Sequence, residues 1–170
     1  YQASLAGSKY WNGVCSSSDG KYLAACVNNS LNVNDSYIYT NTNYGSGAWY
    51  QVTGAVSALW DKIACSSDGK YLAACYGPYV YTNTNYGSGS WYQANVAGAG
   101  NFQDVDITPD GKNIIVCDGN NYIYTNTNYG SGSWTQQTNT GIGSWKSVCC
   151  SSDFKKLFAC YYYANCQKYG

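Results

Sequence analysis

Short apolar runs alternate with polar, glycine-bearing turns along the whole chain, a pattern of strands and not of helices. Tyr71-Leu-Ala-Ala-Cys75 and Asn113-Ile-Ile-Val-Cys117 are almost continuously apolar, which predicts strands covered on both faces. Ahead of each lies Asp-Gly-Lys, a turn in which Asp binds backbone amides and Gly accepts a positive φ. Trp60-Asp-Lys-Ile-Ala-Cys65 and the run from Tyr71 therefore form a hairpin. The aromatic and β-branched Tyr79-Val-Tyr-Thr is a third strand, Asn83 to Gly89 a polar turn, and Trp91-Tyr-Gln the start of a fourth. The unit opened by Trp60 reads as a four-stranded meander without helix, its strands beginning near Trp60, Tyr71, Tyr79 and Trp91.

The pattern recurs. Tyr-Thr-Asn-Thr-Asn-Tyr-Gly-Ser-Gly, one small residue and Trp occupy Tyr39–Trp49, Tyr81–Trp91 and Tyr124–Trp134, spaced by 42 and 43 residues. A second signature surrounds Asp19, Asp68, Asp110 and Asp153, each eight residues after Trp11, Trp60, Phe102 and Trp145, and raises the count to four units. A repeat of this length that makes one small sheet cannot bury both faces alone, so the units are expected to stack radially. The expected fold is one all-β domain over residues 1–170, a four-bladed β-propeller of four-stranded antiparallel blades. Its units fall at about 11–59, 60–101, 102–144, and 145–170 completed by 1–10. Tyr1-Gln2 is in phase with Tyr50-Gln51 and Tyr92-Gln93, and Tyr162–Gly170 aligns without gaps on Tyr79–Gly87. Tyr1, Gln2, Ala3, Ser4 and Leu5 are thus expected to supply the last strand of the final blade, within one chain or in a neighbouring copy. A window on a longer repeat array fits the same residues.

The succession of Ser-Asp-Gly-Lys, apolar strand, Tyr-Ile-Tyr-Thr, Asn-rich glycine turn and Trp resembles the Asp-box (bacterial neuraminidase repeat-like) propeller blades over nearly the whole chain. The box of that family reads Ser-x-Asp-x-Gly-x-Thr-Trp; here Asn43, Asn85 and Asn128 stand at the Asp position, and one extra residue separates Gly from Trp. The resemblance implies a scaffold role for the box, on the blade periphery and away from a central ligand site. Sialidases of the family clamp a carboxylate with three arginines, and this chain has no Arg.

His, Glu and Met are absent as well, so all nine cations are Lys and all nine anions are Asp. A serine-type triad lacks its histidine, and a zinc site would have to be built from Cys and Asp alone, so no enzyme activity, cofactor or metal is expected. The one carboxylate pair to weigh is Asp104 and Asp106, which alternate along a strand and share a face. Two Asp can hydrolyse glycosides, but a pair present in one unit reads first as a solvated strand end or channel lining. With zero net charge and 11% charged residues there is no basic stripe for nucleic acid and no cationic face for lipid. No apolar run approaches the roughly 20 residues of a membrane span, so membrane insertion is not expected.

Nine cysteines and the absence of Met suggest a processed extracellular or cell-surface protein. Cys26, Cys75, Cys117 and Cys160 repeat seven residues after each Asp, as core positions. Hairpin disulfides pairing Cys15 with Cys26, Cys65 with Cys75 and Cys150 with Cys160 are candidates. A tight turn, however, sets Cys65 opposite a residue near Leu72, and Cys117 has no cysteine facing it. The first unit carries an inserted loop, residues 28–36, holding two Asn-x-Ser sequons at Asn28 and Asn34, candidate N-glycosylation sites. Twenty Tyr and six Trp on a weakly charged Asn/Ser/Thr/Gly surface suit a structural protein that associates with itself, as filament, fibril or coat. The alternative is a lectin-like propeller that stacks sugar rings on Tyr and Trp.

Overall fold

The computed structural model describes residues 7–98 and 100–162; the strand expected over Tyr1–Leu5 lies outside these residues. The described residues form a four-bladed, all-β propeller whose sheets follow one another in chain order, every neighbouring strand pair antiparallel. Blade 1 comprises β1 (Trp11–Ser16), β2 (Leu23–Val27), β3 (Ile38–Asn41) and β4 (Tyr50–Gln51). Blade 2 comprises β5 (Lys62–Cys65), β6 (Leu72–Tyr76), β7 (Tyr79–Asn83) and β8 (Tyr92–Ala94). Blade 3 comprises β9 (Phe102–Ile107), β10 (Ile114–Asp118), β11 (Ile123–Asn126) and β12 (Thr135–Gln137). Blade 4 contributes β13 (Trp145–Cys150) and β14 (Leu157–Tyr161). Among the described residues the helical content is two single 3-10 turns, Val33–Asp35 and Thr138–Thr140.

Each first hairpin is held by one device. The hydroxyls of Ser17, Ser66, Thr108 and Ser151 donate to Asp19, Asp68, Asp110 and Asp153 at 2.6 Å, and each carboxylate also accepts the amide of the Lys two residues on. The hydroxyl bond, and after it the amide, holds Asp19, Asp110 and Asp153 below the usual carboxylate range. A folded pKa below the unfolded one contributes stability that is complete above the unfolded value and is lost as pH falls through the folded one. Urea midpoints should therefore drop as the pH is lowered past about 4, and Asp110→Asn should flatten that dependence while lowering stability at neutral pH.

In blades 1, 2 and 3 the turn between the third and fourth strands is organised by a buried asparagine at the end of the third strand. Asn41, Asn83 and Asn126 each accept two amides, from Asn43 and Gly45, Asn85 and Gly87, Asn128 and Gly130. Each also donates to two carbonyls, of Ser46 and Ala48, Ser88 and Ser90, Ser131 and Ser133. Side-chain donors and acceptors are thus all matched, which lets a polar amide sit at 1–2% exposure.

Neighbouring blades pack face against face. Ala24 and Cys26 of blade 1 meet Trp60, Ile63 and Leu72 of blade 2. Ala73 and Cys75 of blade 2 meet Phe102, Val105 and Ile114 of blade 3, and Ile115 and Cys117 of blade 3 meet Trp145 and Val148 of blade 4. At the first two boundaries a tyrosine of the earlier blade also lies on a turn of the next: Tyr22 and Tyr71 rest tilted against Tyr86 and Tyr129, with ring centroids 4.6 and 4.8 Å apart. Those tyrosines explain two glycines. A Cβ at Gly69 would come within 2.5 Å of Tyr22, and one at Gly111 within 2.4 Å of Tyr71, with φ positive at both. In blade 4 the equivalent residue is Phe154, at φ +58°, and the preceding blade carries Asn113 where blades 1 and 2 carry Tyr. The smaller Asn leaves room for the ring, which packs into the blade 3–blade 4 core and offsets the cost of its backbone conformation.

Candidate functional site

Two sheet faces break the pattern of covered blades. Val14, Ile63, Val105 and Val148 occupy one position of the first strands; three are 5–6% exposed, whereas Val14 is 70% exposed. Trp11, Tyr39 and Trp49 flank Val14 as an aromatic shelf, with Trp11 set edge-on to Tyr39 at 5.4 Å and tilted against Trp49 at 6.2 Å. The same cluster in blade 2, Trp60, Tyr81 and Trp91, is buried beneath blade 1. In blade 4, Phe158 is 47% exposed, although its counterparts Ala24, Ala73 and Ile115 are 0–2% exposed. Cys149 and Cys160 lie on the same face of blade 4 and are exposed. Among the described residues no hydrogen bond joins blade 4 to blade 1.

A cleft of about 840 Å³ follows the uncovered face of blade 1 and reaches the first strand of every blade. Trp11 and Trp49 wall it on one side, and Lys62, Asp104 and Lys146 line its inner end. Asp61, next to Lys62, accepts from the Asn28 amide at 3.2 Å, and its half-buried setting raises its pKa through desolvation.

Asp104 and Asp106 do share a face, but their oxygens are committed to blade 4. Asp104 accepts the Ser147 hydroxyl at 2.6 Å and the Val148 amide at 3.0 Å; Asp106 accepts the Cys150 amide at 2.8 Å. The second oxygen of each bonds to its own strand, at Val105 and Ile107. They are neither a solvated strand end nor a free acid–base pair, but a latch between sheets. Removing it by Asp106→Ala should cost about 1–3 kcal/mol and speed amide hydrogen exchange at Cys150 more than at Cys65, because one amide loses its acceptor.

The cysteines follow the register. Cys15 faces Ala24 and Cys26 faces Gly13; Cys65 faces Leu72 and Cys75 faces Lys62; Cys150 faces Leu157 and Cys160 faces Ser147. The hairpin disulfides considered for these six cysteines are not formed, and all six sulfurs are free. The offset comes from the tight turn, which shifts the two cysteines of a hairpin two positions apart in the ladder of blade 1 and three in those of blades 2 and 4. Across the blade 1–blade 2 boundary, by contrast, Cys15 and Cys65 both pack against one core cluster, and each is the leading influence on the other's thiol, holding Cys15 above and Cys65 below the usual thiol range. Cys26 is pushed up to about 12 and Cys75 well above the thiol range, both chiefly by burial. Cys117 is buried and free in the blade 3–blade 4 core.

The two sequons differ. Asn34 is exposed on the 3-10 turn of the inserted loop, whereas Asn28 is half-buried with its amide bonded to Asp61. Sequence reasoning missed the buried Asn41, Asn83 and Asn126, although each stands two residues before the Asn singled out in the box.

No family model matches the chain, and comparison with curated proteins returns no match. Solved structures do match. A chain of the nidogen/laminin complex superposes with TM-score 0.70 at 12% identity, over 90% of this chain and 57% of the other. Hydrazine synthase of Kuenenia stuttgartiensis gives 0.68 at 18% identity, over 89% and 42%. The GH74 enzyme of Niastella koreensis gives 0.64 at 18% identity, over 88% and 21%. The chain thus spans about a fifth to just over half of the structures it resembles. These likenesses are of the β-propeller fold.

Proposed function

We propose that the protein is a non-catalytic structural repeat protein that associates with itself at an extracellular or cell-surface site. The observation that carries this reading is the pair of uncovered apolar faces on the first and fourth blades. Low charge removes the repulsion that keeps such faces apart. The commitment of Asp104 and Asp106 to inter-blade bonds, together with the lack of Arg, His and Glu, supports the non-catalytic part. The hairpin boxes are read as degenerate Asp boxes, with Asn83 and its equivalents taking over the pinning of the turn. The exposure of Asn34 on the inserted loop supports reading it, of the two sequons, as the one that carries a glycan.

Negative-stain microscopy of the purified chain tests the reading. Discrete multi-subunit particles or filaments are expected, and a uniform population of single 18.5 kDa molecules at high concentration contradicts it. The aromatic shelf with Asn12 at its edge favours a second reading, a lectin that stacks a sugar ring on Trp11. Saccharide titration that quenches tryptophan fluorescence and is lost in Trp11→Ala, without any assembly, would establish that reading instead.

A further inference from the structure

The three internal blade contacts show what each uncovered face is built to receive. At every boundary the fourth position of a first strand (Ile63, Val105, Val148) presses on the alternating apolar residues of the preceding second strand (Ala24 and Cys26, Ala73 and Cys75, Ile115 and Cys117). Val14 is the unfilled member of the first set, and Phe158 with Cys160 is the unfilled member of the second. A second rule ties the fifth position of one first strand to the sixth of the next. Cys15 and Cys65 pack against the same core cluster, and Asp106 accepts the Cys150 amide at 2.8 Å. In blade 4 the fifth position is the exposed Cys149, and in blade 1 the sixth is the exposed Ser16. At the turns, Tyr22 and Tyr71 lie on Tyr86 and Tyr129; the equivalent residue of blade 4 is Lys156, and the ring left bare is Tyr44, 62% exposed. A lysine over that ring is a cation–π contact in place of an aromatic pair.

Resting on the self-association proposed above, we infer that a second copy of this chain covers these faces head to tail: blade 4 of one copy packs on blade 1 of the next as blade 3 packs on blade 4. Phe158 then seats against Val14 and the Trp11–Trp49 shelf, Cys149 faces Ser16, and Lys156 lies over Tyr44. The two surfaces differ, so the contact is heterologous. It closes as a ring of copies or continues as a filament according to the rotation per copy.

Two experiments test this. Val14→Asp blocks one face and Phe158→Asp the other, so each variant alone should be monomeric in sedimentation while their equimolar mixture forms one-to-one heterodimers through the remaining intact pair of faces. Assembly of both single variants at the wild-type level overturns the proposed surface but leaves self-association standing; a monomeric wild type overturns both. In the second, Ser16→Cys is oxidised in a mixture of light and nitrogen-15-labelled chains, and its peptide linked to Cys149 is analysed by mass spectrometry. Mixed-isotope linkage between chains is expected. Linkage only within one chain shows that the ring closes on itself, and no linkage to Cys149 above a Cys149→Ser control shows that the faces do not meet; either result overturns the inference.

Discussion

Trp60→Ala is expected to destabilise the protein by about 3–5 kcal/mol, a large share of the roughly 5–15 kcal/mol that holds a domain of this kind folded. Trp60 is fully buried at the blade 1–blade 2 boundary and meets Tyr76, Tyr81 and Trp91 with centroids 4.9, 5.5 and 6.5 Å away. Truncation leaves a cavity that two rigid sheets cannot close, and it removes three aromatic contacts together. The matched control is Trp11→Ala, the same residue in the same place of blade 1 but partly exposed. Its cost in dilute monomer should be far smaller, and guanidinium midpoints of the two variants measure the difference. Equal losses would mean that Trp11 is covered within the monomer.

The second large effect is expected at Asn83→Asp. The shape is conserved and the two amides from Asn85 and Gly87 keep an acceptor, but the Ser88 and Ser90 carbonyls lose their donor and meet a buried carboxylate. Two lost bonds and the desolvated charge together cost about 3 kcal/mol or more at neutral pH. Protonation restores one donor and removes the charge, so the gap to wild type should narrow already as the pH is lowered toward 4, whereas the gap for Asp110→Asn narrows only below about 4, where Asp110 itself is protonated in the wild type. Denaturant midpoints at several pH values separate the two. The same substitution at exposed Asn85 should be nearly neutral, which distinguishes the pinning residue from the one that merely matches the family's Asp position.

Much of the scaffold is legible in the chain because the repeat copies every local signal. The strands expected near Trp60, Tyr71, Tyr79 and Trp91 begin at Lys62, Leu72, Tyr79 and Tyr92, and the Asp turns lie where Asp and Gly require them. Residue types alone do not reveal partners from another sheet. Asp104 and Asp106 announce a shared face, yet their latch to Ser147 and Cys150 spans 43 and 44 residues and depends on how two blades are rotated together. Cys15 and Cys65 escape notice for the same reason, since the chain suggests pairing within a hairpin whereas the fold sets the two sulfurs across a blade boundary. Val14 and Phe158 are the sharpest case. In the sequence each occupies an ordinary blade position, and it is surface because no neighbouring blade covers it among the described residues.

The terminal faces make the central claim directly measurable. Sedimentation equilibrium of the intact chain, run from micromolar to several hundred micromolar under reducing conditions, reports mass without reference to any disulfide. Weight-average mass should rise with concentration above 18.5 kDa, and Val14→Asp should hold it at the monomer value. A mass fixed at 18.5 kDa across the range, with Val14 still open to hydroxyl-radical labelling at the highest concentration, would contradict pairing of the faces.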